Sequence, residues 1–231
     1  MPTRRAAATS PEARPDRKLA ILLAAERLFA QHGYDAVTIR QVAEEAGVPL
    51  ALVGYYHGQK HELFEAVFGQ WRGTIDERLA GLAEAMAAPK PERLARIVDA
   101  FLLPVLRLRA STEGEFYARM VARELLHQRG HTDRVMREIF DPLAEAFIDA
   151  LHATLPHASR GEVAWCYQFM LGALLHHISD DRVERLSHGE NRSADPAAAP
   201  LLMRFVLGGL QAALPAPAPR SSSKTNARRP A

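Results

Sequence analysis

The residues best suited to bind something lie between Ile39 and Gly58, in the stretch IRQVAEEAGVPLALVGYYHG. Val42, Ala43 and Ala46 stand three and four apart, so they share one face of a short helix. Ala43 is small where a second helix must cross closely. Gly47 falls where the chain leaves that helix, a position that favours positive φ and therefore glycine. Val48 covers the turn. Pro49 fits the first turn of the next helix, where its missing N–H costs nothing. Val53 and Tyr56 give that second helix its inward side. This spacing is that of a DNA-binding helix-turn-helix.

Other chemistries find less support. The chain has no Gly-rich phosphate loop, GxSxG elbow or HExxH zinc motif, so no enzyme is expected. His57 and His61 are four apart, as are His127 and His131, which suits two metal ligands. No nearby Cys or acid set completes either pair, and Gly58 and Gly130 break the helices between them. The single cysteine, Cys166, sits in an apolar helix, where thiols are usually inert. No metal or other cofactor is expected. A metal- or redox-sensing regulator and a helical adaptor without DNA binding are the alternative readings.

The elements that must position the turn are helical almost throughout. No sustained period-two alternation and no Asn-Gly hairpin signal occurs. Asp16 caps a first helix through about residue 31, ended by Gly33. Thr38 caps a second, and Gln41 three residues later completes a capping box. A third spans roughly 50–56. A single long fourth helix is expected from about Lys60 to Met86, with apolar positions repeating at three and four. Further helices are expected at about 91–109 with a kink at Pro104, 113–127, 133–155, 160–180 and 198–213, which makes about nine. Residues 181–197 read as a loose polar loop. The fold class is all-α: a basic arm over 1–15, a helix-turn-helix domain over 16–60, a larger helical domain over 61–214, and a low-complexity basic tail over 215–231.

Composition sets the outer bounds. The chain has 231 residues, 48% of them hydrophobic, enough for a sizeable core. No apolar run approaches the ~20 residues a membrane-spanning helix needs. The N-terminus has no apolar core of a secretory signal, and one cysteine suits a reducing compartment, so a soluble cytoplasmic protein is expected. Formal net charge is only +2. Both ends are basic, however, and the body is mildly acidic. Basic ends can attract a phosphate backbone without reading sequence.

The segment AAERLFAQHGYDAVTIRQVAEEAGVPLALVGYYHGQKHELFEAVF resembles the TetR/AcrR family of bacterial transcriptional regulators. The likeness covers about residues 18–68 and includes Phe29, Gly33, Thr38, Ile39, Ala43, Ala46, Gly47, Val48, Tyr55, Tyr56, Gly58, Lys60 and Leu63. Two positions depart from it. Gly54 stands where relatives often carry Tyr, and His57 where they carry Phe. Later stretches, MVARELL and FMLGALLHH, look like the branch that contains fatty-acid-responsive regulators.

The resemblance implies a ligand-responsive regulator, a repressor that leaves a palindromic DNA operator when a small effector binds. Its third helix would enter the major groove. That helix has no Arg or Lys, so Arg40 and Gln41 are the candidates for base-edge or nearby phosphate contacts. Leu50 and Ala51 offer apolar contact to thymine methyls. Thr38, Tyr55, Tyr56 and Lys60 resemble the family's phosphate clamps. A homodimer is expected through the last two long helices, at Trp165, Phe169, Leu174, Leu202, Phe205, Val206 and Leu210. An effector pocket is expected at Phe64, Trp71, Phe101, Phe116, Met120, Arg123, Phe147 and Met170. Its ligand is expected to be largely apolar, an acyl chain or acyl-CoA.

Overall fold

A computed structural model describes residues 16–127 and 130–216. The basic arm and the distal part of the basic tail lie outside those residues, as do the side chains of His127 and His131. Among the described residues there are eleven α-helices and no strand.

The N-terminal helices follow from their caps. Asp16 accepts from the Lys18 and Leu19 amides at 3.0 and 3.3 Å and starts α1 (Arg17–His32). Gly33, at φ +81°, ends it. Thr38 starts α2 (Ile39–Glu45) with the expected capping box: its hydroxyl accepts the Gln41 amide at 3.3 Å, and the Gln41 carboxamide oxygen accepts the Thr38 amide at 2.8 Å. Gly47, at φ +63°, makes the turn into α3 (Leu50–His57).

The expected long fourth helix is two helices. α4 (Lys60–Gln70) and α5 (Arg72–Ala87) meet at Trp71. Gly69 and Gly73 flank the break and lower the helix propensity there. The Trp71 indole N–H donates to Glu26 of α1 at 2.7 Å, so a distant partner holds the break in place. α6 (Lys90–Ala110) carries Pro104 in its interior, and α8 (Gly130–Thr154) carries Pro142. Between them runs α7 (Glu115–His127). A Ser159–Glu162 capping box begins α9 (Arg160–Ser179). The polar stretch after it is more ordered than expected. It holds the one-turn α10 (Val183–Leu186) and a 3-10 turn at Pro196–Ala198, which leads into α11 (Ala199–Ala213).

Two apolar cores result. The first gathers Ile21, Phe29, Val42, Val53, Phe64 and Phe68, and is completed by Tyr117, Met120, Val135 and Met136 from α7 and α8. Its rings meet edge to face: Phe29 on Phe64 at 5.4 Å and Phe64 on Phe68 at 5.0 Å. Truncating the fully buried Phe29 to Ala would cost about 3–5 kcal/mol. The second core joins α5, α6, α8, α9 and α11 through Ile97, Phe101, Phe147, Leu151, Met170 and Leu210. Leu108, Leu125 and Phe140 touch both. The helix-turn-helix therefore does not end in a clean seam at residue 60. α7 lies along α1, and the larger helical body supplies part of the smaller core.

Candidate DNA interface and effector cavity

The outward face of α3 is apolar and uncharged. Leu50, Ala51, Gly54 and Tyr55 are exposed, Tyr55 most of all at 79%. Tyr56 is turned partly inward, and its ring meets Tyr55 edge to face at 5.1 Å. Polar groups ring this face. Thr38 is exposed at the start of α2, and Arg40 projects into solvent with only a long 3.9 Å approach to Glu44. Gln41 is engaged in the expected capping box: its carboxamide oxygen accepts from the Thr38 amide and hydroxyl. Lys60 is half-buried. Its ammonium stands 4.3 Å over the Tyr34 ring and donates to the Asp35 carbonyl at 3.4 Å. Burial lowers its pKa and Asp35 opposes that shift.

The two departures from the family pattern have different consequences. A side chain at Gly54 would meet no atom within 4 Å, so the position is open and carries no contact group. His57 is buried, and its ring Nε2–H donates to the Lys18 carbonyl at 3.1 Å, which ties the end of α3 to the start of α1.

Besides the shared apolar core, polar contacts link the N-terminal helices, the head, to the larger helical body. Glu26 is 2% exposed on α1. Its carboxylate accepts the Trp71 indole N–H and the Tyr117 backbone N–H in the first turn of α7. Burial raises its pKa, and those two bonds lower it in part. The Trp71 ring stacks on Tyr117 at 5.5 Å with 21° between planes. At the C-terminal end of α1, Arg123 of α7 donates to the Gln31 carbonyl at 3.3 Å, a favourable place for a cation. A side chain at Gly33 would meet the Arg123 guanidinium at 2.8 Å.

Beyond Tyr117 lies a cavity of about 260 Å³ between α5, α6, α7, α8 and α9. Its apolar wall includes Ile75, Val105, Val121, Leu143 and Leu171. Its polar groups are Arg78, Tyr117, Tyr167, Thr74, Gln168 and Asp141.

Two comparisons of sequence fix the lineage. Residues 21–67 match the model of bacterial regulatory proteins of the tetR family, and residues 99–209 match that of a tetracyclin repressor-like C-terminal domain. The chain belongs to the TetR family. It is 31% identical over 104 residues to the HTH-type transcriptional regulator HbdR of Aromatoleum sp. (strain CIB), covering 45% of each chain. It is 28% identical over 143 residues to the HTH-type transcriptional repressor BepR of Brucella suis biovar 1 (strain 1330), covering 62% of this chain and 64% of that one. The matches thus span about half to two thirds of these relatives' own length. In fold the chain is similar to the fatty acid degradation regulator FadR from Bacillus halodurans, with a TM-score of 0.60 at 17% identity over 87% of this chain and 99% of that one.

Within this TetR-family chain, the side chains expected around an effector lie outside this cavity. Phe64 and Met120 are in the first core, and Phe101, Phe147 and Met170 in the second. Trp71 is bound to Glu26, Phe116 lies under the Arg27 guanidinium, and Arg123 is at the end of α1. None of the eight lines the cavity. Aromatic and Met side chains on the middle helices mark burial rather than the edge of a void. Arg78, Tyr117 and Tyr167 were missed. Arg78 had a signal: it stands three after Ile75 and four before Leu82, on the inward stripe of its helix.

The expected interface residues also divide. Trp165, Phe169 and Phe205 are about two-thirds exposed, together with Leu201. Leu202 is partly covered. Leu174, Val206 and Leu210 are buried in the chain's own core, because α11 packs on α6 and α9 through them. Among the described residues no three His, Cys, Asp or Glu side chains gather as a metal set. Cys166 is buried, and burial pushes its thiol pKa up. No described helix is long and apolar enough to cross a membrane.

Proposed function

We propose that this protein is a ligand-responsive transcriptional regulator that binds a palindromic DNA operator as a homodimer. It acts as a repressor and is released by a small, largely apolar effector. The observation that carries this reading is the chain of contacts from cavity to head. Tyr117 lines the cavity, stacks on Trp71 at the break between α4 and α5, and through its backbone shares Glu26 with that indole. A ligand that favours one placement of Tyr117 favours one placement of α1 and α4, and so shifts a population of head orientations.

In the DNA-bound form α3 faces the major groove with Leu50, Ala51 and Tyr55. Affinity comes largely from Thr38, Arg40, the two tyrosines and Lys60 against the phosphates around it. Gln41 serves the α2 cap, and its remaining donor is what it offers the DNA. The two protomers meet through the outer faces of α9 and α11. Trp165, Phe169, Leu201 and Phe205 form an apolar surface there that a monomer would leave in water. Half-sites about 34–36 Å apart, or a multiple, would mirror that twofold axis. A cavity of about 260 Å³ is near the lower end of ordinary ligand pockets, so it takes a short acyl chain or small ring and not the nucleotide of an acyl-CoA. The setting is the cytoplasm, where the operator is.

The test is an electrophoretic shift on the DNA upstream of the protein's own gene, backed by selection from random duplexes. A palindromic consensus bound by a dimer is expected. No enrichment from the random pool, or a monomer by light scattering at micromolar concentration, would overturn the reading.

A further inference from the structure

The cavity contains a buried cation with nothing to neutralise it. Arg78 is only 6% exposed. Its Nε has no hydrogen-bond partner, and it forms no ion pair among the described residues. The guanidinium lies 4.5 Å over the Phe101 ring and 5.5 Å from the Phe147 ring. Ring faces attract a cation but do not replace its hydrogen bonds. Asp141 lines the same cavity but is exposed and makes no ion pair with Arg78. Tyr117 is 3% exposed, and its hydroxyl also lacks a partner. Two unsatisfied donors, both more than nine-tenths buried, therefore border one void whose remaining wall is mostly apolar.

Such groups are costly to bury, and a native fold rarely leaves them without a use. Burial pushes the Arg78 pKa down to about 10, so the guanidinium stays charged at neutral pH. The Tyr117 hydroxyl is pushed up and stays protonated, able to donate. Arg78 also lies between the two stretches that the family models match, 21–67 and 99–209.

We infer that Arg78 and the Tyr117 hydroxyl form an anion-reading site, and that the effector is a small amphiphilic carboxylate. Its head pairs with the guanidinium and accepts from Tyr117, and its apolar body fills the space toward Val105 and Leu171. The planar guanidinium fork matches a carboxylate, which supplies the acceptors that both donors lack. The inference rests on the cavity being the effector site. It goes further by fixing the charge and chemical class of the ligand.

The experiment is titration calorimetry on the full chain without DNA, using octanoate and 4-phenylbutyrate against their primary amides. At least one acid is expected to bind. Which one binds tells a straight-chain body from an aromatic one. The matching amide should bind about 10- to 100-fold more weakly, the loss expected when a charged acceptor is replaced by a neutral one. Arg78→Met should erase that preference while keeping or raising the melting temperature of the free protein, since it removes an unpaired buried charge at similar volume. Tyr117→Phe should fold normally and weaken the acid alone.

Equal affinity of acid and amide, binding of neither acid, or full acid binding by Arg78→Met would each overturn the inference. So would a large fall in melting temperature in Arg78→Met, because Arg78 would then be a structural post. Acid binding that depends on Arg78 in a protein that shifts no DNA would instead sink the regulator reading and leave the site standing.

Discussion

Two faces of this molecule leave large apolar side chains in water, and they differ in what surrounds those side chains. On α3 the exposed set is small and mixed: Leu50 and Tyr55 beside Ala51 and Gly54, with Thr38, Arg40 and Lys60 around the edge. On α9 and α11 it is larger: Trp165 stacks on Phe169 at 6.1 Å, and Leu201 and Phe205 are exposed on the neighbouring helix. An apolar patch rimmed by hydrogen-bond donors suits a partner that is itself charged, where the rim supplies affinity and the patch supplies fit. A broad patch with glycines at 172, 208 and 209 suits another apolar helix pair at close range. Exposure alone does not tell a reading face from a self-association face. The chemistry of the rim does.

The largest expected effect breaks the second face. Phe205→Glu places a charge in the proposed apolar interface. Burying an unpaired carboxylate costs several kcal/mol, so the dimer should weaken by at least about 100-fold. Sedimentation should find monomer at micromolar concentration, with far-ultraviolet circular dichroism unchanged because the side chain is exposed in the single chain. DNA affinity should fall with it. A dimer that survives would move the interface off this face.

The first face yields to charge removal at its rim. Lys60→Ala should weaken operator and random DNA together, by about tenfold, and lower the salt slope by about one per protomer. The measurement is binding across a salt series. A wild-type slope would assign Lys60 to its visible neighbours, Tyr34 and Asp35, and leave the rim to Thr38 and Arg40.

Glu26 joins the region of the first face to the body, and its titration gives a smaller effect. Its folded pKa is raised by burial above the ordinary 4.5, so the folded state holds the proton more tightly than the unfolded one. Its contribution is neutral below pH 4.5. It becomes destabilising as pH rises through the folded pKa and is fully so above it. Glu26→Gln stays uncharged and keeps an oxygen for the Trp71 indole and the Tyr117 amide. The melting temperature of the variant minus that of the parent should therefore grow from pH 4.5 to pH 7.5. A difference that stays flat would mean the carboxylate is not held in a burial that matters.

Much of the head was legible in the sequence because its signals are local. Asp16, the Thr38–Gln41 box, Gly33 and Gly47 act within four residues of themselves, and each does what its type and spacing suggest. The missed features depend on partners far along the chain. The break at Trp71 is held by Glu26, 45 residues away, and no periodicity in α4 and α5 announces it. The cavity is harder still. Phe101, Phe147 and Met170 have the types of a pocket wall and are packed solid, while Arg78 had the type of a solvated side chain and is buried. Apolar periodicity says which face turns inward. It does not say where packing stops short of closing.

The smallest prediction compares the two faces directly through their glycines. Gly54 on α3 and Gly208 on α11 both lie within helices, and a Cβ at either would meet no atom of the same chain within 4 Å. As isolated chains they are equivalent, and replacing either by Ala should stabilise the helix by about 0.5–1 kcal/mol. Gly54→Ala should show that gain in full, with dimer affinity unchanged, if α3 faces DNA and not a second copy, as proposed. Gly208 is three residues after Phe205, on the same stripe, where a partner helix would approach. Gly208→Ala should therefore keep the gain when combined with Phe205→Glu, in the monomer, and lose or reverse it in the dimer. Chemical denaturation of the parent, the two glycine variants, Phe205→Glu and the double variant measures the difference. Equal gains in every background would mean that nothing approaches α11 closely, and the two exposed faces would then differ in composition without differing in partner.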